Sequence, residues 1–322
     1  MKGLRKVLTP FAPDQSGAVS VLYELGGIIV IVDAGGCAGN ICGFDEPRWQ
    51  DSKSAVFSAG LRDMDAVMGR DDRLLAKIYD AASKIEANFM ALIGTPVPAV
   101  IATDYTALGR MIEKKTGIPA LGINTNGMEL YDAGADKALY AVYDRFACET
   151  CDTVPGREAF IGACPADTGT YLRAAGMDEI RSASSAAVNT AVSPAAVRTV
   201  KLLERRFGTP WRAGFEAGLS LLPDEDFTGK RVLIVHQQAA AETLKDELLK
   251  RGAAKADTAT WFMINKEIGE DTIRLKEEDD FEELAGCGRY DVIIADIALK
   301  PLAGDFKGVW VDAPHFALSG RT

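Results

Sequence analysis

Two cysteines, Cys37 and Cys42, fall in the stretch Asp33 to Trp49, DAGGCAGNICGFDEPRW, directly after the apolar run Gly27 to Val32. Gly35, Gly36, Gly39 and Gly43 surround them, and glycines let a bulky group approach the backbone closely. Thiolates in such loops, with amide N–H groups turned toward the sulfides, are the ligands of iron–sulfur clusters. Two thiols from one chain fall short of the four that a cubane usually takes. An isologous dimer would bring Cys37 and Cys42 of two subunits together and supply all four. The competing reading of the same residues is two buried cysteines in a tight turn. Asp45 and Glu46, next in the loop, offer a proton donor or a cluster ligand on one reading and exposed, solvating carboxylates on the other.

Cys148-Glu149-Thr150-Cys151 is a CxxC, the pattern of a redox pair or of half a metal site. It lacks the preceding strand and following helix of a thioredoxin motif. Cys164, at a strand end, and Cys287, between two glycines, read as packing residues. His236 and His315 are the only histidines, too few for a typical zinc site or a Ser-His-Asp array. His236 follows a strand at its carboxyl end, where open α/β sheets place ligands; otherwise it is a structural histidine. His315 sits in a terminal loop able to reach a neighbouring domain. Dinucleotide binding needs G-x-G-x-x-G in a strand-to-helix turn. Neither Gly35-Gly36-Cys37-Ala38-Gly39 nor Gly162-Ala163-Cys164-Pro165 has that spacing. G-x-x-x-x-G-K-[ST] does not occur, so no P-loop nucleotide site is expected in this chain.

The elements that must position these groups alternate. Ala18 to Leu25 and Gly27 to Val32 read as two strands of a hairpin feeding the cysteine loop. Then come strand Ala55 to Ala59, helix Asp71 to Asn88, strand Phe89 to Ile93, helix Thr106 to Thr116 and strand Ala120 to Ile123, an order that predicts a parallel sheet covered by helices. After a polar linker at Cys148 to Arg157, the pattern predicts strand Glu158 to Gly162, helix Gly169 to Ala175, strand Ile180 to Ala183 and helix Ser193 to Phe207. Ser193 is the expected N-cap, Pro194 the first helical residue and Gly208 the stop. Beyond a second linker, Leu222 to Gly229, come strand Arg231 to His236, helix Ala240 to Arg251, strand Ala259 to Ile264, an acidic helix near Glu277 to Ala285 and strand Asp291 to Ala295. The expected organisation is three Rossmann-like parallel α/β domains, 1–151, 152–228 and 229–322.

A chain of 322 residues has the length for two or three cores. Its 36 basic and 46 acidic side chains give a net charge of −10 without a Lys/Arg-rich run, which argues against nucleic acid or an anionic membrane as partner. The start, MKGLRKVLTPFAPDQSG, has no unbroken apolar core before Pro10 and Pro13, and no apolar run reaches the ~20 residues of a membrane span. A cytoplasmic location is expected.

Several segments, taken in order, carry a resemblance. Ala34-Gly35-Gly36-Cys37, Phe57-Ser58-Ala59-Gly60-Leu61 with Val67-Met68-Gly69-Arg70, Ile161-Gly162-Ala163-Cys164-Pro165-Ala166-Asp167, Glu204 to Trp211 (ERRFGTPW), Asp291 to Ala295 and Pro314-His315-Phe316-Ala317-Leu318-Ser319-Gly320 resemble motifs of the nitrogenase component 1 family. That family includes nitrogenase subunits, their cofactor-assembly scaffolds and tetrapyrrole reductases. The resemblance implies three domains around a central cleft and a homodimer or a heterodimer with a related subunit. It also implies a separate ATP-dependent iron protein delivering electrons, through a 4Fe-4S cluster on Cys37, alone or with Cys42, to a small-molecule or tetrapyrrole-type substrate. A scaffold for metallocofactor assembly and a cluster-free small-molecule-binding protein are the alternatives. The family's third cluster cysteine has no counterpart at Gly94-Thr95-Pro96-Val97-Pro98, so an eight-iron cluster is not expected. Ligands for the nitrogenase active-site cofactor are missing as well, and nitrogen reduction is not expected.

Overall fold

The computed structural model describes residues 5–46, 48, 53–169 and 172–321. Three sheets follow one another along the chain, every strand pair parallel. The first contains β1 (Ile28–Ile31), β2 (Ala55–Ser58), β3 (Met90–Ile93) and β4 (Ala120–Ile123) in the order β2-β1-β3-β4. β1 and β3 are wholly buried, as parallel strands covered on both faces must be, and for that reason read as unbroken apolar runs. Leu74, Leu75 and Ile78 of helix Asp71–Ala82 and Leu108 and Ile112 of helix Tyr105–Thr116 pack on Ile28 and Val30. Helices Asp14–Leu22 and Tyr131–Phe146 cover the other face, where Val19, Leu22, Ala138 and Val142 meet Ile29 and Ile31.

The second sheet is β5 (Glu158–Ile161), β6 (Val188–Ala191) and β7 (Trp211–Ala213), in that order. Its helix Val197–Phe207 ends at Gly208, φ +74°. Ile161, Ala191, Val197 and Val200 join the same apolar core as Val19 and Val142, so the two helices of the first unit are sandwiched between two sheets. The third sheet holds β8 (Arg231–Val235), β9 (Lys255–Thr260), β10 (Ile273–Arg274), β11 (Val292–Ala295) and β12 (Val309–Asp312) in the order β10-β9-β8-β11-β12, the doubly wound arrangement. Among the described residues no helix is long and apolar enough to cross a membrane.

Local expectations fail where tertiary contacts replace them. The strand predicted at Ala18 to Leu25, and with it the hairpin, is absent: Ala18 to Leu22 belong to helix Asp14–Leu22, all of whose residues are buried, and Tyr23 to Leu25 form the turn after it. A helix covered on every side carries no polar stripe to betray its period. Ile180 to Ala183 is the end of helix Met177–Arg181 and the start of a 3-10 turn, Ala183–Ser185, and the sheet strand is β6 instead. Helix Gly169 to Ala175 gives way to a single turn, Pro165–Thr168, closed by Gly169; Thr170 and Tyr171 lie outside the described residues, as do Pro47 and Trp49 of the cysteine stretch. The strand expected at Ala259 to Ile264 is four residues earlier, as β9. Ser193 precedes a 3-10 turn, Pro194–Ala196, and its side chain does not cap it.

Candidate functional site

β1 ends at the point where the order of the first sheet reverses, between β1 and β3, and crevices at such reversals are where open α/β sheets place ligands. Gly35, at φ +119°, turns the chain there into a five-residue helix, Gly36–Asn40, carrying Cys37. A π-helical turn, Ile41–Asp45, carries Cys42 and is anchored by fully buried Ile41. Asp33 clamps the loop. Its carboxylate is 2% exposed and accepts hydrogen bonds from the Ala38 amide at 2.9 Å and the Ser58 hydroxyl at 2.6 Å. An anion at a helix start also offsets the partial positive charge of the free amides. From the other side, Thr95 at the end of β3 donates its hydroxyl to the Val32 carbonyl at 2.7 Å. Asp33 escaped the sequence reading; an acid closing an apolar strand just before Gly-Gly-Cys was the available signal.

The glycines face outward. A Cβ added to Gly36, Gly39 or Gly43 would meet nothing within 4 Å, so the close approach they permit is not used inside the chain. Both thiols are half-buried. Burial pushes the Cys42 thiol above its ordinary range, the hydrogen bond with the Tyr23 hydroxyl works the other way, and the Glu46 charge adds to the rise. Among the described residues no group of three or more His, Cys, Asp or Glu side chains could hold a metal. Cys37 and Cys42 stand there as free, half-buried thiols.

Neither neighbouring carboxylate is an exposed, solvating one. Glu46 is buried and accepts from Arg48 Nε at 2.8 Å and from Arg48 Nη2 at 2.8 Å, while the same guanidinium donates to the Ser20 carbonyl. Asp45 is partly buried and accepts from the Ser16 hydroxyl at 2.6 Å. The other cysteines divide differently. Cys164 is buried against Ser20 at 3.2 Å, and burial pushes its thiol up to about 12, as a packing residue requires. Cys287 is exposed, in contact with Arg289 Nε at 3.1 Å, and so is not the packing residue its glycine neighbours suggested. Cys148 is exposed and Cys151 half-buried, both as free thiols. The Ser184 hydroxyl holds that turn through the Glu149 carbonyl and the Cys151 amide, each at 2.8 Å.

Where the three sheets converge, both histidines are sealed in. The His236 and His315 rings lie 4.5 Å apart, His315 stacks on Phe262 at 4.7 Å, and Phe262 meets Tyr131 edge-on at 5.1 Å. His236 Nε2 faces the Pro314 carbonyl at 3.1 Å; the structural reading of this histidine is the one that fits. The Tyr131 hydroxyl donates to Asp167 of the second unit, and Asp132 accepts from the Met263 amide of the third.

Burial, reinforced by the Asp132 charge and opposed by the Tyr131 hydroxyl, raises the Asp167 carboxyl to about 7. The unfolded value is about 4. Folded protein thus holds an extra proton between these values, and the contribution of Asp167 to stability falls as pH rises through them. Burial lowers His236 to about 4, below an unfolded value of about 6.5, so its contribution is lost as pH falls from about 6.5 to about 4. Relative to the parent, Asp167→Asn is expected to gain stability between about pH 4 and about pH 7, on the order of a few kcal/mol, and to level off above. Urea unfolding of both proteins at about pH 5 and about pH 8 checks this, the parent serving as the internal reference for all other titrations.

The model of the family described as nitrogenase component 1 type oxidoreductase matches residues 15–220, a span that includes the cysteine loop and both sheets around the buried helix pair. Solved structures of nitrogenase Cp1 share the fold. The one at pH 6.5 superposes with a TM-score of 0.68 at 14% identity, covering 97% of this chain and 87% of that one. The one at pH 5 superposes with a TM-score of 0.62 at 15% identity, covering 98% and 78%. Comparison with curated proteins returns no match. On the extent of the family match, the chain belongs to the nitrogenase component 1 type oxidoreductases.

Proposed function

We propose that the chain is a reductase subunit relaying electrons from a separate ATP-dependent iron protein to a small-molecule or tetrapyrrole-type substrate other than dinitrogen. The relay is an iron–sulfur cluster held at a two-fold interface by Cys37 and Cys42 of each subunit. One observation carries the reading: the carboxyl edge of the first sheet is open and apolar. All four connections leaving that edge present bare side chains, Phe44 81% exposed, Val67 80%, Val100 86% and Met128 83%. Exposed apolar groups concentrated on one edge favour a partner surface over water. The cysteine loop lies on the same edge, with its glycines turned to open space.

A cluster bound there supplies one-electron transfer. The residues of this chain supply the rest. Asp33 fixes the loop to β2, Thr95 ties its base to the end of β3, and the Tyr23 hydroxyl favours the thiolate form of Cys42. Pooling of four thiolates across the interface compensates for the cysteine lacking in the loop Gly94-Thr95-Pro96-Val97-Pro98. Six free thiols suit the reducing cytoplasm, which we take as the location. Either a homodimer or a heterodimer with a related subunit satisfies the ligand count.

Anaerobic purification followed by iron and acid-labile sulfide analysis tests the proposal, with about four irons per two chains expected. Protein free of iron and sulfide after anaerobic reconstitution would refute it. Turnover that requires an added iron protein and ATP separates a reductase from an assembly scaffold. Val67→Glu combined with Val100→Glu is expected to convert the dimer to monomer by light scattering. Burying each carboxylate without a partner costs about 1–3 kcal/mol or more, at least tenfold in association, while the exposed positions leave the fold untouched.

A further inference from the structure

Beyond Cys42, the cysteine loop also borders a groove. Phe44 and Asp45 there meet the N-terminal segment 7–12 and the C-terminal turn Phe316–Ser319 across a groove of 510 Å³, within the size range of sites for small organic molecules. Leu8, Pro10, Ala298 and Phe316 make its walls apolar, and Thr9 and Ser319 add hydroxyls. Among the described residues lining it, Asp45 is the only charged side chain. One oxygen of Asp45 accepts from Ser16; the other accepts from none of the described residues. Asp45 also closes the π-helical turn Ile41–Asp45, a rare backbone form that recurs at functional sites.

We propose that this groove binds a largely apolar organic molecule bearing a protonated nitrogen, with Asp45 as its counter-ion. This specifies the substrate class of the reductase and rests on that reading for the role of the groove, though the binding itself does not. An anionic molecule would meet the carboxylate without a compensating lysine or arginine in the lining. Burial, opposed by the Ser16 hydroxyl, holds the Asp45 carboxyl above its ordinary range, and a bound cation works against that by favouring the charged form.

The test is a fluorescence titration of the full chain with two planar probes of similar size and opposite charge, 9-aminoacridine and anthracene-9-carboxylate. Saturable binding of one 9-aminoacridine per chain is expected, at least about tenfold tighter than the carboxylate probe. Asp45→Asn, which keeps an oxygen for Ser16, is expected to weaken the cationic probe about tenfold. Thr9→Trp, an exposed position on the groove wall, is expected to block it. Absence of saturable binding, equal affinity for the two probes, or an Asp45→Asn affinity within about twofold of the parent overturns the proposal. The probe comparison on the unaltered chain decides the matter even if a variant misfolds. Cys37→Ala is expected to retain the probe, so loss of the cluster and loss of the groove are read separately.

Discussion

Cys37→Ala is expected to bring iron and acid-labile sulfide to background and to leave the anaerobically purified protein colourless. Under the proposed pooling of two thiols from each subunit, the substitution removes half of a four-ligand set, and the remaining pair cannot hold a cubane. The side chain is half-buried, on a five-residue helix held by Asp33. Losing it therefore costs the fold little, about 1 kcal/mol or less, and an unchanged melting temperature distinguishes ligand loss from unfolding. Full iron content in this variant would remove the basis of the functional proposal. Cys42→Ala refines it: retained iron there assigns the remaining ligands elsewhere.

Gly17→Ala is expected to have the largest effect on folding. A Cβ at Gly17 would lie 1.7 Å from the Tyr131 carbonyl oxygen, and one at Gly134 would lie 1.7 Å from that of Asp14. Helices Asp14–Leu22 and Tyr131–Phe146 thus meet backbone to backbone through reciprocal glycines, and the obstructing atoms cannot rotate away. Overpacking a core costs about 1–3 kcal/mol where side chains can yield; with main chain opposed, about 3 kcal/mol or more is expected. A melting temperature within a few degrees of the parent, measured by circular dichroism, would show that the helices separate easily. Because Ser16 sits on the same helix and bonds Asp45, the variant is also expected to loosen the cysteine loop.

The pair Gly17 and Gly134 also marks where sequence reading stops. Val19, Val21 and Leu22 between small residues look like a strand, because a helix buried between two sheets has no polar face and its period vanishes. Helix Tyr131–Phe146 also escaped the sequence reading: its buried residues join the core shared by both sheets, and Asp144 and Arg145 are exposed only near its end. Elements with one wet face keep their acidic first turns and amphipathic spacing: Glu278–Gly286 is legible to within one residue at each end, and Asp71–Ala82 from its first residue, though its end is read six residues late, at Asn88.

The sequence by itself determined three successive parallel α/β units, because strands buried on both faces must be written as short unbroken apolar runs separated by helices. It also determined that a Gly-rich loop with two cysteines follows the first strand, since that signal is contiguous. Tertiary structure alone decided which groups serve that loop. Asp33 meets Ser58, Asp45 meets Ser16, Glu46 is neutralised by Arg48 while Asp45 is left facing a groove, and His315 crosses from the third unit to Tyr131. Those pairings join residues distant in the chain or distinguish adjacent ones by burial, and burial is a property of the packed neighbours, with no mark in local spacing.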